Sequence, residues 1–286
     1  MGHSPMNEGE NLLIPNALVD LFERSSLFEI SLTLFGGMVA AALLGLFIRR
    51  APGLLLPSKS PDGQEAYVVS AVLGLLALLM GFTFSLALSR YEDRRELVLQ
   101  EANAIGTAYL RAQLLAEPDR RELSTILVDY SENRLNLAKS SGDSVKGLLN
   151  RNDELLIDLW ARTKQASVNS GNTPITSLLI SSVNDVIDLD AARKNARAAK
   201  VPSAVYAVLM IFIFISAAIL GYSLVGFWAR LAAIVLFLLL NLSMILIIDI
   251  DRPLVGMLRE QQGPMEDLLA YFQTAPPERF DPPVRE

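Results

Sequence analysis

Four apolar blocks constrain this chain more than any other feature. They cover residues 27–48, 67–88, 203–225 and 230–248. Each is long enough to cross the hydrocarbon core of a bilayer as an α-helix, which takes about 20 residues at a rise of about 1.5 Å each. The mean hydropathy of +0.35 over 286 residues agrees with that reading, because soluble domains of such length rarely average so high. The leader "MGHSPMNEGENLLIPNALVDLFERSS" is long and acidic where a secretory signal is short and basic, so the first block is expected to stay as a span. The chain reads as an all-α integral membrane protein with the lipid bilayer as its first partner.

The composition excludes most enzyme chemistry. There is no cysteine, hence no thiolate nucleophile, disulfide or cysteine metal site. The single histidine is His3, which removes Ser-His-Asp catalysis and the two-histidine zinc helix. No "GxxxxGK[ST]" or "GxGxxG" cradle for phosphates occurs. The net charge of −6 adds a lipid-embedded part to a polar part and so says little about partners. No enzyme activity, cofactor, metal or nucleic-acid partner is expected.

Residues 1–26 read as a loose start and a short amphipathic helix, with Pro15 at a favoured first position. Residues 27–90 hold spans one and two. Gly36, Gly37 and the "AALLG" run of span one would let another helix approach closely. "APGLLLPSKSPDG" is a loop, and Asp62 with Glu65 suits a capping box for the next helix. That helix meets no proline before Pro118 and so is expected to leave the membrane unbroken. Arg94, Val98, Glu101, Ile105, Ala108 and Ala112 fall on one stripe of it, and Ala102, Ala104 and Gly106 keep the neighbourhood thin.

Residues 91–202 are expected to form a helical cytoplasmic domain inserted between spans two and three, with no alternating strand pattern. One helix starts at Pro118-Asp119 and buries Leu123, Ile126, Leu127, Tyr130 and Leu137. A second, over 145–168, carries Leu148, Leu149, Leu155, Leu156, Leu159 and Trp160. A third starts at Pro174 with Ile175, Leu178, Leu179, Ser182, Val183, Val186 and Ile187 inward. Residues 203–249 hold spans three and four. Their link, "GFWAR", is so short that an antiparallel hairpin is expected, with Phe227 and Trp228 as an interfacial aromatic belt. Residues 250–286 read as a polar C-terminal segment with a disordered tail.

With four spans, the N-terminus, the inserted domain and the C-terminus share one side. The basic residues near the membrane favour that side, which is therefore expected to be cytoplasmic in a plasma (bacterial inner) membrane. Arg49 and Arg50 run against the bias.

The stretch "GFTFSLALSRY" (81–91) resembles the second transmembrane helix of bestrophins, in which a Gly-Phe is followed along the helix by Thr-Arg-Trp. The longer run "RYEDRRELVLQEANAIGTAYLRAQLL", with "DIDRPLVG" after the last span, is more similar to the bacterial bestrophin-like proteins, over about residues 65 to 265. The resemblance implies a homo-oligomer, a pentamer in bestrophins, that conducts chiefly small anions. It places the three-residue pore neck of the second helix on Gly74, Leu78 and Phe82. A spacing of four keeps these on one helical face. Two departures stand out: Gly74 supplies no bulky ring, and "MLREQQG" lacks the acidic run of the bestrophin calcium clasp, so calcium binding does not carry over.

Each candidate also has a plainer structural reading. Phe82 suits ordinary packing between spans, and Phe84, about 200° away, cannot share its direction. Arg94 and Glu101 suit an ion pair as well as a charged cytoplasmic vestibule. Asp249, the deepest acid, suits neutralisation by Arg90, Arg94 or Arg95, and Asn241 suits a bond to another span. Two functions compete: an oligomeric channel around the second helix, and a non-conducting membrane-anchored scaffold or sensor.

Overall fold

The computed structural model describes residues 25–50, 64–252, 258 and 260–281, apart from 141, 143 and 172. The expected N-terminal amphipathic helix and the Asp62 capping box lie outside them. Among the described residues the elements are α1 (Leu27–Arg50), α2 (Gln64–Ala112), α3 (Asp119–Lys139), α4 (Ser144–Ser170), α5 (Pro174–Ala198), α6 (Ser203–Ser223), α7 (Phe227–Asp251), α8 (Gly263–Thr274) and a 3₁₀ turn at Pro277–Phe280. There is no strand among them. The helical stretches Leu27–Arg50, Tyr67–Ala112, Pro174–Ser223 and Phe227–Asp251 each contain an apolar window long enough to span a membrane. The second of the expected spans belongs to an unbroken helix of 49 residues, as the absence of proline permits.

The chain forms two compact units. The first takes Met1–Ser89 and Lys200–Leu258; the second takes Arg90–Ala199 and Arg259–Glu286. In the first, α1 opens with a reciprocal cap: Ser26 N–H donates to Glu29 Oε2 at 2.8 Å, and Glu29 N–H to Ser26 Oγ at 3.2 Å. Helix α1 packs most extensively on α6. Glycine permits this. A Cβ on Gly45 would lie 1.9 Å from the Ala218 carbonyl oxygen, and one on Gly221 would lie 1.9 Å from that of Ala42. The backbones therefore touch, as small residues allow in apolar surroundings. Asn241 of α7 donates to Ser31 Oγ of α1 at 2.7 Å, the interhelical bond its mid-span position suggested.

The hairpin of α6 and α7 is a loose one. Gly226 turns the chain with a φ of +97°, yet the two helices touch each other only sparingly, and α1 is the element both pack against. The glycine-to-backbone contact of α1 with α6 takes the place of a tight α6–α7 seam. At the other end of the pair, the Asp251 carboxylate accepts the Val201 N–H at 3.0 Å and the Tyr206 hydroxyl at 3.1 Å, so the last residue of α7 holds the start of α6.

The second unit is a helical bundle. Its core draws Ile105, Ala108 and Tyr109 from α2, Leu123, Leu127 and Tyr130 from α3, Leu155 and Leu159 from α4, and Val183 and Val186 from α5. Ile175 and Leu178, expected inside, are exposed, as are the apolar Leu149 and Trp160 of α4. Asn152, Thr163, Ser182 and Asp190 take interior positions because this core is built around polar groups as well as apolar ones.

The C-terminal segment, read from the sequence as polar with a disordered tail, differs as far as residue 281, and the last five residues lie outside the described ones. Residues 263–281 form α8 and the 3₁₀ turn, and they belong to the second unit. Phe272 stacks on Tyr109 with ring centroids 4.3 Å apart, and the Tyr109 hydroxyl donates to the Ala275 carbonyl at 2.8 Å. Gly106 explains the thin face of α2: a Cβ there would sit 3.3 Å from a Leu268 methyl.

The α1–α6 contact yields a stability test. Gly221→Ala forces Cβ into the Ala42 backbone and is expected to cost at least about 1–3 kcal/mol, the usual range for overpacking. Gly36→Ala, which meets nothing within 4 Å, is expected to change stability by under about 1 kcal/mol. Thermal unfolding of both variants in detergent measures the difference, and equal melting temperatures would contradict the assigned contact.

Candidate functional site

Two places hold the residues singled out from the sequence, one in each unit. In the first unit, α2 has an inward and an outward face. Leu76, Met80, Thr83 and Ala87 are buried, with Thr83 Oγ1 donating to the Leu79 carbonyl at 2.8 Å. The opposite face carries the neck candidates. Leu78 is 53% exposed and Phe82 66% exposed, and Gly74 lies on the same side. Phe82 is thus not consumed by packing within its own chain. Gly81, Ser85 and Ser89 are exposed beside it, whereas Phe84 is half-buried. A Cβ on Gly74 or Gly81 would meet nothing within 4 Å. The outward face therefore mixes two bulky apolar side chains with small and hydroxylated ones.

In the second unit, Glu101 sits at the centre of a buried charge cluster, with 0% exposure. It stands on the predicted stripe of α2, and every member of that stripe from Arg94 to Ala112 is buried. Tyr130 of α3 donates its hydroxyl to Glu101 Oε1 at 2.6 Å. Arg134, one turn further along α3, faces the same carboxylate at 3.1 Å through Nε and reaches Asp190 of α5 at 3.2 Å. Arg193 of α5 donates to Glu101 Oε2 in a short charge-assisted bond. Asn152 of α4 donates to Asp190 Oδ1 at 3.0 Å, and Lys194 bridges Asp190 at 2.8 Å and Asp153 at 2.6 Å.

Glu260, ahead of α8, extends the network. Arg197 binds it at 2.9 Å, Arg193 lies 3.5 Å away and Arg94 lies 4.0 Å away. Burial, with the Glu101 charge beside it, pushes the Tyr130 phenol well above its ordinary value, so Tyr130 is a fixed donor. Burial also lowers Arg193, and the attraction of Glu101 opposes that shift.

The placement of the vestibule candidates follows directly. Arg94 and Glu101 point into the interior of the second unit, where Glu101 is an ion-pair partner of its own chain. Arg90 is half-buried. Asp249, in the first unit, is buried and accepts the Leu258 N–H at 3.2 Å. Arg134, Asp190, Arg193 and Glu260 are the members sequence reasoning missed. Their signal was present: Arg134 and Asp190 occupy the buried positions of otherwise apolar helical stripes. No group of three or more potential metal ligands occurs among the described residues.

A model of the Bestrophin-like domain matches residues 36–264. Among solved structures, the fold is similar to crystal structures of a bacterial bestrophin homolog from Klebsiella pneumoniae. One variant matches with a TM-score of 0.65 and 13% identity, covering 88% of this chain and 97% of that one. A second matches with a TM-score of 0.63 and 14% identity, covering 85% and 96%. A crystal structure described as a membrane protein matches with a TM-score of 0.63 and 14% identity, covering 87% and 99%. At such identities the likeness concerns the fold. No curated protein matches the chain.

Removing one partner from the cluster tests its role. Glu101→Gln leaves the buried Arg134 and Arg193 facing a neutral amide, and a loss of about 3–5 kcal/mol is expected. Glu122→Gln, at the exposed Glu122–Arg162 pair, is expected to cost under about 1 kcal/mol. Chemical unfolding of the full chain in detergent reads both values, and comparable losses would refute a structural role for Glu101.

Proposed function

The chain belongs to the Bestrophin-like family, and on that footing we propose that it forms an oligomeric ion channel around the membrane part of α2. The observation that carries the reading is the outward face of α2 in the first unit, where Leu78 and Phe82 stand exposed among Gly74, Gly81, Ser85 and Ser89 while Leu76, Met80 and Ala87 are buried. Sister copies arranged about an axis, five by resemblance to bestrophins, would turn that face inward. Rings of Leu78 and Phe82 would then form a narrow apolar neck, which can close by dewetting. Gly74 would add no side chain to it. Small anions are the permeant class the resemblance implies, and the electropositive edges of the Phe82 rings suit them.

The same reading puts the second unit and both termini on the cytoplasmic side of a plasma (inner) membrane, where the basic residues flanking the spans accumulate. It assigns no catalytic step, cofactor or metal to the chain. Exposed apolar side chains of the second unit, among them Ile157, Trp160 and Val168, offer surface to neighbouring copies.

Reconstitution in planar bilayers tests the proposal. The wild-type protein is expected to pass current with a reversal potential that follows the anion gradient. Phe82→Ala is expected to widen the neck and raise the open-state conductance severalfold, while Phe84→Ala leaves it nearly unchanged. Absence of current in any salt, a strict monomer in detergent, or identical traces for Phe82→Ala and wild type would remove the reading and leave a non-conducting scaffold.

A further inference from the structure

The sparse contact between α6 and α7 leaves a crevice in the first unit. Its volume is about 330 Å³, and α1, α6 and α7 each contribute to its walls. Phe35, Val39 and Leu43 line one side, Gly221 forms part of the floor where α6 touches α1, and Ile234 and Phe237 line the α7 side. Leu43 and Ile234 are exposed, so the crevice opens outward. Its lining on α1 runs from Phe35 to Leu46, a rise of about 16 Å. That depth is close to one leaflet, about half of the roughly 30 Å hydrocarbon core.

Among the described residues, one charged side chain lines this apolar space, Arg230. It lies in the first turns of α7, beside Phe227 and Trp228. These two aromatic residues are exposed and stack edge to face, as expected at the depth of lipid headgroups. Arg230 forms no ion pair among the described residues. Helix α7 also starts without a side-chain cap, its N-cap being Gly226, so its first N–H groups add positive potential at the same end. Arg49 and Arg50 close α1 at this end as well. Arg49 donates to the Tyr222 and Ser223 carbonyls at 2.7 and 3.1 Å.

We infer that the crevice is a binding site for an anionic phospholipid, with one acyl chain along α1 between α6 and α7 and the phosphate on Arg230. Charge complementarity and leaflet depth select this occupant. A zwitterionic lipid offers the same chain without net charge, and a second protein copy would need an apolar ridge plus an acid for Arg230. The inference also explains why Arg49, Arg50 and Arg230 accumulate on the face where the charge bias of the loops disfavours them.

Tryptophan quenching in proteoliposomes tests it, with the full-length chain carrying Trp160→Phe so that Trp228 is the remaining reporter. The probes are phosphatidylglycerol and phosphatidylcholine, each brominated near the top of one acyl chain. Quenching is expected at about fivefold lower mole fraction of the anionic lipid, the factor one basic side chain confers near a membrane surface. Arg230→Gln is expected to abolish the preference. Ala233→Phe, which fills the crevice, is expected to weaken quenching by both lipids while circular dichroism stays unchanged. Equal quenching by the two lipids in the parent protein, or a preference that survives Arg230→Gln, would overturn the inference. So would a parent quenched by neither lipid whose oligomer dissociates on Ala233→Phe, because a sister copy would then fill the crevice.

Discussion

The Glu101 carboxylate is withdrawn completely from water, and much of the second unit follows from that one fact. A bare carboxylate in such a place would be prohibitive. Tyr130 and the guanidinium groups of Arg134 and Arg193 make it tolerable. Two buried guanidinium groups on one carboxylate then leave positive charge to be answered. Asp190 answers it on one side and Glu260 on the other, and these acids in turn hold Asn152, Lys194 and Arg197. Each charge thus recruits the next element: α2, then α3 and α5, then α4 and the segment before α8. Such a network contributes little net stability over an apolar core of equal volume, but it penalises any register that leaves a member unpaired.

That same network marks the limit of what could be read from the sequence. The unbroken course of α2, the starts of α3 and α5 at Pro118 and Pro174, and the buried stripe from Arg94 to Ala112 were legible, because proline placement and a 3.6-residue period depend only on local sequence. Which residues turned inward on α4 and α5 was legible only in part. Leu179, Ser182, Val183 and Val186 are buried as expected, whereas Ile175 and Leu178 are exposed, and Asn152 and Thr163 hold interior places on α4 that hydrophobicity gave no reason to assign. Hydrophobicity predicts burial only when the core is apolar. Leu123, Leu127, Tyr130, Arg134 and Leu137 are spaced four and three apart, as are Leu179, Val183, Val186, Asp190 and Arg193. Charges at core spacing on two helices were the available signal for a buried ion cluster. Helix α8 was hidden by its flanks, since the prolines on either side suggested a loose tail while Met265, Leu268, Leu269 and Phe272 kept helical spacing.

In the first unit the solvent is lipid, and exposure changes its meaning. An exposed leucine or phenylalanine on a span costs nothing when acyl chains cover it, so the positions of Leu78 and Phe82 alone do not separate a pore face from a lipid face. Glycine is the better discriminator. In a helix it costs about 1 kcal/mol relative to alanine, so a span that keeps it needs a return from close approach. Gly45 and Gly221 find that return inside the chain, where α1 and α6 meet backbone to backbone.

Gly74 and Gly81 find none there, since a Cβ at either position would enter open space. Lipid gives no reason for two glycines on one exposed face, nor for Ser85 and Ser89 beside them. A sister helix passing close by gives a reason for the glycines, and water in a conduit gives one for the hydroxyls. Both needs are met together if that face of α2 turns toward a symmetry axis. Leu78 and Phe82 then become the narrow part of a path whose remaining surface is small and polar, and the buried face of Leu76, Met80 and Ala87 anchors each copy to its own spans. On the proposed channel reading, the membrane half of α2 divides its two sides between holding the protomer together and facing its copies.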